Sequence, residues 1–175
     1  LKDTPSVVTP AGVAGLRFND EVATINALIP TLKQQGTSAI VVLIHQGGAT
    51  TATSINDKTC PGFAGEIVDI ADRLDPAVDV IISAHTHQEY VCFRPDGKLV
   101  TQAGCYGRIA TNIELMIDPA RKKVIRKDAN NVATINEAGA RDASGALIPL
   151  PAGYTAQKSD GATSALIQRY VDLTA

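Results

Sequence analysis

The chain reads as an α/β fold built on a mixed sheet with flanking helices. Three observations predict it. Two short runs, Ala39–Ile44 and Val78–Ser83, are β-branched and nearly free of charge, the signature of buried parallel strands. A segment with helical spacing lies between them, which gives βαβ order with a connection long enough for a right-handed crossover. The segments after the second run alternate or turn back tightly, which adds antiparallel strands.

The elements follow in order. Residues 1–15 are rich in Pro, Gly and Thr and read as a loop. Asn19 or Asp20 caps a helix from Glu21 to Gln35, whose apolar positions are Val22, Ile25, Leu28, Ile29 and Leu32. Pro30 introduces a kink, and Gly36 ends the helix. The strand Ala39–Ile44 follows, then a polar loop from Gln46 to Gly62. A helix from Ala64 to Leu74 buries Ile67, Ile70, Ala71 and Leu74, and Asp75-Pro76 stops it before the strand Val78–Ser83. Glu89–Phe93, Leu99–Ala103 and Thr111–Ile117 are short strand candidates, the first two joined by a turn at Pro95-Asp96-Gly97. The alternation in 112–117 suits a sheet with one wet face. From Lys127 the chain becomes rich in Ala, Asn and Gly and reads as a linker. An amphipathic helix over 162–173 then presents Leu166, Ile167, Tyr170 and Val171.

All three histidines of the chain lie just after the two apolar runs, as His45-Gln46-Gly47-Gly48 and Ala84-His85-Thr86-His87. Ligand sites of α/β sheets lie outside the carboxyl ends of the strands. Neutral imidazole is the commonest side-chain metal ligand. Histidines at two adjacent strand ends are therefore expected to converge on one site. For each alone the alternative is a hydrogen-bonded loop residue.

These residues carry a family resemblance. Ser83-Ala84-His85-Thr86-His87 resembles the Gly-His-x-His motif of the calcineurin-like metallophosphoesterases, and Leu43-Ile44-His45-Gln46-Gly47-Gly48 resembles the histidine motif that precedes it. Thr101-Gln102-Ala103-Gly104-Cys105-Tyr106-Gly107-Arg108 is similar to the following segment in the secreted bacterial 5′-nucleotidase branch. Leu1-Lys2-Asp3-Thr4-Pro5 and Gly12-Val13-Ala14-Gly15-Leu16 also look like that branch. The resemblance runs to Asp118. It implies residues 1–126 as the C-terminal half of a metallophosphoesterase α/β sandwich, and 127–175 as linker and connector helix towards a nucleotide-binding domain. Ala84 stands where the family usually has Gly, which the local backbone tolerates only without positive φ or with some strain.

The resemblance also implies a function. The parent enzyme would hydrolyse nucleoside 5′-monophosphates with two divalent metal ions (Mn, Mg, Co or Zn), which hold the attacking hydroxide. His45 and His85 would bind one metal and His87 the other. The family's catalytic histidine and bridging Asp belong to upstream motifs that do not occur in this chain. The chain is therefore expected to be a fragment, inactive without the missing half and the C-terminal domain. Substrates of sister branches remain open: 2′,3′-cyclic nucleotides, UDP-sugars or thiosulfohydrolase substrates. So does a non-catalytic α/β binding piece. Arg108 either meets substrate phosphate or forms a surface salt bridge. Glu89 either orients an imidazole or is a solvated strand residue. Asp79 reads as a strand-start residue. Gly47-Gly48 could bring backbone N–H groups to an anion.

The 175 residues suit one domain or less, and without Trp the core should be aliphatic. A net charge of −2 with scattered Lys and Arg gives no sign of a nucleic-acid partner. No apolar run approaches the roughly 20 residues of a membrane span. Three cysteines allow one bridge and one leftover. Cys60 and Cys92, in loops flanking the site, are the favoured pair, with Cys105 buried and unpaired; the alternative is three free thiols. Such a bridge fits a periplasmic or secreted protein.

Overall fold

The structure is a computed structural model that describes residues 4–135, 139, 144–149 and 156–174. Residue contacts divide the chain into two units, Leu1–Val132 and Ala133–Ala175. The first has mixed α/β architecture.

Its first elements are a single helical turn, α1 (Thr4–Val7), a 3-10 turn (Pro10–Val13) and α2 (Glu21–Gln34). Asp20 caps α2, its carboxylate accepting a hydrogen bond from the Ala23 N–H at 2.8 Å. The helix runs on through Pro30, and Gly36, with φ of 80°, turns the chain out of it. Strand β1 (Val41–Leu43), helix α3 (Glu66–Arg73) and strand β2 (Val80–Ile82) then form the βαβ unit. Next come β3 (Glu89–Phe93), β4 (Leu99–Ala103), β5 (Ile109–Asp118) and β6 (Lys123–Ala133).

The four-stranded sheet has the order β1-β2-β4-β3. β2 is parallel to both β1 and β4, with Val42 opposite Ile81 and Ile81 opposite Val100. β3 is antiparallel to β4, with Cys92 opposite Val100. β5 and β6 form a separate two-stranded sheet. On one side of the larger sheet, Val22 and Ile29 of α2 and Ile67, Ile70 and Ala71 of α3 pack with Val42, Ile81, Tyr90, Cys92 and Val100. On the other side Ala129, Ile113 and Leu115 of the β5–β6 pair pack against Val80, Val91 and Leu99.

Five sequence expectations need correction. The two parallel strands are shorter than their apolar runs, because the Asp79 carboxylate takes the Ile40 N–H at 3.0 Å before the regular ladder begins. β1 is an edge strand and is not buried on both faces: Leu43 is 76% exposed and Val41 is exposed beside it. The β5–β6 pair covers the neighbouring strands instead. Cys105 is half-buried in the turn after β4, not in the core, and Cys92 lies on β3, not in a loop. Finally, the segment from Lys127 continues as β6, so the boundary expected after 126 falls inside a strand and the contact division comes after Val132.

In the second unit, α4 (Gly161–Thr174) starts at Asp160, whose carboxylate accepts from the Thr163 N–H at 2.7 Å. The helix matches its expectation closely, and Leu166, Ile167, Tyr170 and Val171 are exposed. The expected linker over 127–160 lies partly outside the described residues. No helix among the described residues is long and apolar enough to cross a membrane.

Candidate functional site

The parallel register of β1 and β2 sets Leu43 opposite Ile82, so the residues that follow leave the sheet side by side. Ile44 N–H still donates to Ile82 O at 3.0 Å, and Ala84 N–H to Gln46 O at 3.1 Å. The two histidine segments are thus tied backbone to backbone. The rings of His45 and His85 meet edge to face, centroids 5.2 Å apart. Two imidazoles on one tetrahedral ion, at Zn–N distances of about 2.0–2.1 Å, have ring centres roughly 5 Å apart. The separation of the pair matches that spacing. The ring of His87 lies elsewhere, against Tyr106 at 5.9 Å. Among the described residues no group of three or more His, Cys, Asp or Glu side chains is arranged to hold a metal ion. Of the three histidines, His45 and His85 lie ring against ring.

His85 and His87 have φ of 75° and 56°. Such left-handed backbone is uncommon for residues with a side chain, and it concentrates where geometry serves a site. Ala84 is not among the residues with positive φ, which explains how Ala stands where the resemblance expects Gly.

The loop is held from beneath by polar groups. Thr86 Oγ1 donates to Gly48 O at 2.7 Å and also lies 3.1 Å from Gln102 Oε1. Buried Gln102 accepts from Tyr90 OH at 3.0 Å, and Tyr90 OH lies 2.6 Å from Ser83 Oγ. Burial pushes the Tyr90 phenol above its usual range, with Ser83 and the Gly48 backbone opposing. The network fixes the segment 83–86 against β3 and β4. Gly47 completes it by close approach. A Cβ there would lie 2.2 Å from Ala84 O, 2.5 Å from Thr86 Oγ1 and 2.7 Å from Gln102 Oε1. Gly47 and Gly48 are buried, so this pair serves loop packing and offers no open backbone to an anion.

His87 also lines an open cavity of about 260 Å³, with Thr50, Thr53, Ser54, Gln88 and Glu89 among others. Its loop is clipped to β6 by reciprocal amide bonds. Asn56 Nδ2 donates to Asn131 O at 2.9 Å, and Asn131 N–H donates to Asn56 Oδ1 at 2.7 Å. Asn131 Nδ2 donates in turn to Gln102 O at 3.1 Å. The Cys60–Cys92 disulfide ties the same loop to β3, with Cα atoms 5.4 Å apart, and Cys105 is free. A buried disulfide fits an oxidising, extracytoplasmic environment.

Asp79 is structural: it receives the Ile40 N–H and pairs with Lys127 at 3.2 Å. Glu89 is exposed at the cavity rim. Arg108 forms no ion pair among the described residues. It donates to Cys105 Sγ at 3.7 Å and lies over the Tyr106 ring at 5.3 Å. Gln102, Tyr90 and Asn131 carry much of the site's architecture, yet nothing in their local pattern marked them. They act through contacts 7 to 76 residues away along the chain.

Two relatives are similar to the chain. It is 33% identical over 126 residues to Endonuclease YhcR of Bacillus subtilis (strain 168), a match covering 72% of this chain and 10% of the relative. It is 34% identical over 91 residues to a cell wall protein of Listeria monocytogenes serovar 1/2a, a match covering 49% of this chain and 12% of the relative. The chain thus spans about a tenth of the length of the curated relatives it matches. No protein-family model matches it. No solved structure matches it.

Proposed function

We propose that this chain is part of an extracytoplasmic, divalent-metal-dependent hydrolase of nucleotide phosphate esters. The observation that carries the reading is the His45–His85 pair: two imidazoles from adjacent parallel strand ends, 5.2 Å apart, one of them on left-handed backbone. His45 and His85 would hold one ion, and His87, as the sequence resemblance implies, a second. Bound divalent cations supply charge stabilisation to a phosphoryl group in transfer. The chain's own residues do the positioning. Thr86, Gln102 and Tyr90 lock the loop, Gly47 lets the two histidine segments approach, and the disulfide fixes the neighbouring loop.

Nucleoside 5′-monophosphates are the substrates the resemblance implies. The relative's name, endonuclease, favours a second reading in which the ester is an internal phosphodiester of a nucleic acid. The disulfide, together with the other relative's name of cell wall protein, supports a periplasmic or secreted location.

Cobalt titration tests the reading. Saturable Co²⁺ absorption bands are expected for the wild-type chain, and they should be lost in His45→Ala and His85→Ala variants that retain wild-type circular dichroism. Absence of bands, or bands indifferent to both substitutions, refutes the metal reading. AMP and a single-stranded phosphodiester, assayed with the protein that carries this chain, then separate the two substrate readings.

A further inference from the structure

The turn between β4 and β5 holds a feature that the metal reading leaves unused. Gly104, Tyr106 and Gly107 all take left-handed backbone, with φ of 63°, 60° and 68°. Gly adopts this conformation freely, whereas Tyr is strained by it. Asn and Gly are the residues that take this conformation most readily in turns. Core packing does not offset the strain, because Tyr106 is 83% exposed. Its ring stands edge-on to His87 with centroids 5.9 Å apart. The guanidinium of Arg108 lies 5.3 Å from the ring centre, and no carboxylate among the described residues pairs with it. One strained turn therefore presents an open aromatic surface and an uncompensated cation beside a histidine of the candidate site.

We propose that Tyr106 and Arg108 form a subsite for a nucleobase and its adjoining phosphate. It rests on the phosphate-ester reading only for the direction in which the scissile bond lies, towards His87. A base stacks on an exposed tyrosine through its π-face, whatever its identity. A guanidinium fork meets phosphate oxygens bidentately. The ligand is a nucleoside phosphate, supplied either as a free nucleotide or as a stretch of single-stranded nucleic acid.

The experiment measures fluorescence anisotropy of a labelled eight-residue oligothymidylate on the 175-residue chain, with unlabelled AMP and inorganic phosphate as competitors, in EDTA. Tyr106→Asn keeps a residue that tolerates left-handed backbone and removes the ring. It is expected to weaken a base-bearing probe about 5- to 150-fold, the range of one lost base–aromatic stack. Tyr106→Phe is expected to bind as wild type, and Arg108→Ala to weaken binding and flatten its salt dependence. Displacement by AMP that Tyr106→Asn weakens identifies a free-nucleotide site. A Tyr106 effect on the oligomer alone identifies a single strand. Wild-type affinity for both base-bearing probes in Tyr106→Asn, no binding of either, or competition by inorganic phosphate as strong as by AMP overturns the proposal. Because EDTA removes metal, failure of the cobalt titration and failure of this subsite are separate outcomes.

Discussion

Replacing Gly47 by Ala is expected to damage fold and site together. The added Cβ would fall 2.2 Å from the carbonyl oxygen of Ala84, well inside contact distance, and backbone cannot swing aside as a flexible side chain does. It would also meet Thr86 Oγ1 and Gln102 Oε1, two atoms that already lie 3.1 Å apart. Relief requires moving the 83–86 segment away from Gly47, which breaks the Ala84–Gln46 and Thr86–Gly48 hydrogen bonds. Overpacking alone costs about 1–3 kcal/mol, and each lost hydrogen bond about 1 kcal/mol, so a destabilisation of about 3 kcal/mol is expected. Urea unfolding at fixed pH should show a lower midpoint with an unchanged slope. Gly161→Ala, where an added Cβ meets nothing within 4 Å, serves as the control and should stay within about 0.5 kcal/mol of wild type. Because the displaced segment carries His85, Co²⁺ affinity should fall in parallel. A Gly47→Ala protein with the wild-type midpoint would refute the close-approach argument.

Further outcomes follow from other contacts. Gln102→Ala removes the acceptor that ties the Tyr90 hydroxyl to the Thr86 loop, leaving Tyr90 only Ser83 and Thr86 only Gly48, and should cost about 2 kcal/mol in urea unfolding while weakening Co²⁺ binding. Replacing both Cys60 and Cys92 by Ser opens a link across a separation of 32 residues, for which the chain-entropy relation gives about 3.7 kcal/mol; reducing agent should then no longer alter the variant's stability. Burial would raise the Asp96 carboxyl, but hydrogen bonds and charge from Lys98, aided by Arg94, outweigh it and hold the group below its ordinary value. Its folded form is therefore the stronger acid. The contribution is whole above about pH 4 and declines as pH falls through the lower folded value, so Asp96→Asn should reduce the loss of stability between neutral and acid pH. An unchanged acid slope in Asp96→Asn would contradict this.

The sheet order around β1 and β2 was legible because their residues are β-branched and bounded by turn signals, and the Asp20 cap and the Pro95-Asp96-Gly97 turn were legible for similarly local reasons. The histidines stood out because they follow strands directly. β6 did not, since Asn130 and Asn131 disfavour strands locally, and Asn131 is held there by tertiary bonds to Asn56 and Gln102. The pairing of Cys60 with Cys92 emerged correctly from a faulty premise: Cys92 is a core strand residue, and it meets Cys60 because the loop 49–64 folds over the sheet. The left-handed φ of His85 and His87 has no sequence marker, because nothing forbids a histidine from ordinary backbone.

The reciprocal Asn56–Asn131 bonds have a consequence for the order in which the molecule forms. They span 75 residues, whereas the Cys60–Cys92 link spans 32. Contacts distant in sequence close late, after nearer ones have shortened the chain between them. A nascent chain can therefore bring its two thiols together before Asn131 has left the ribosome or the translocation channel. Oxidation would capture the loop early in a loose form, and β6 would then seat it. The rim of the site thus gains its support late, and a synthesis halted before residue 131 would yield a bridged chain whose loop still lacked that support.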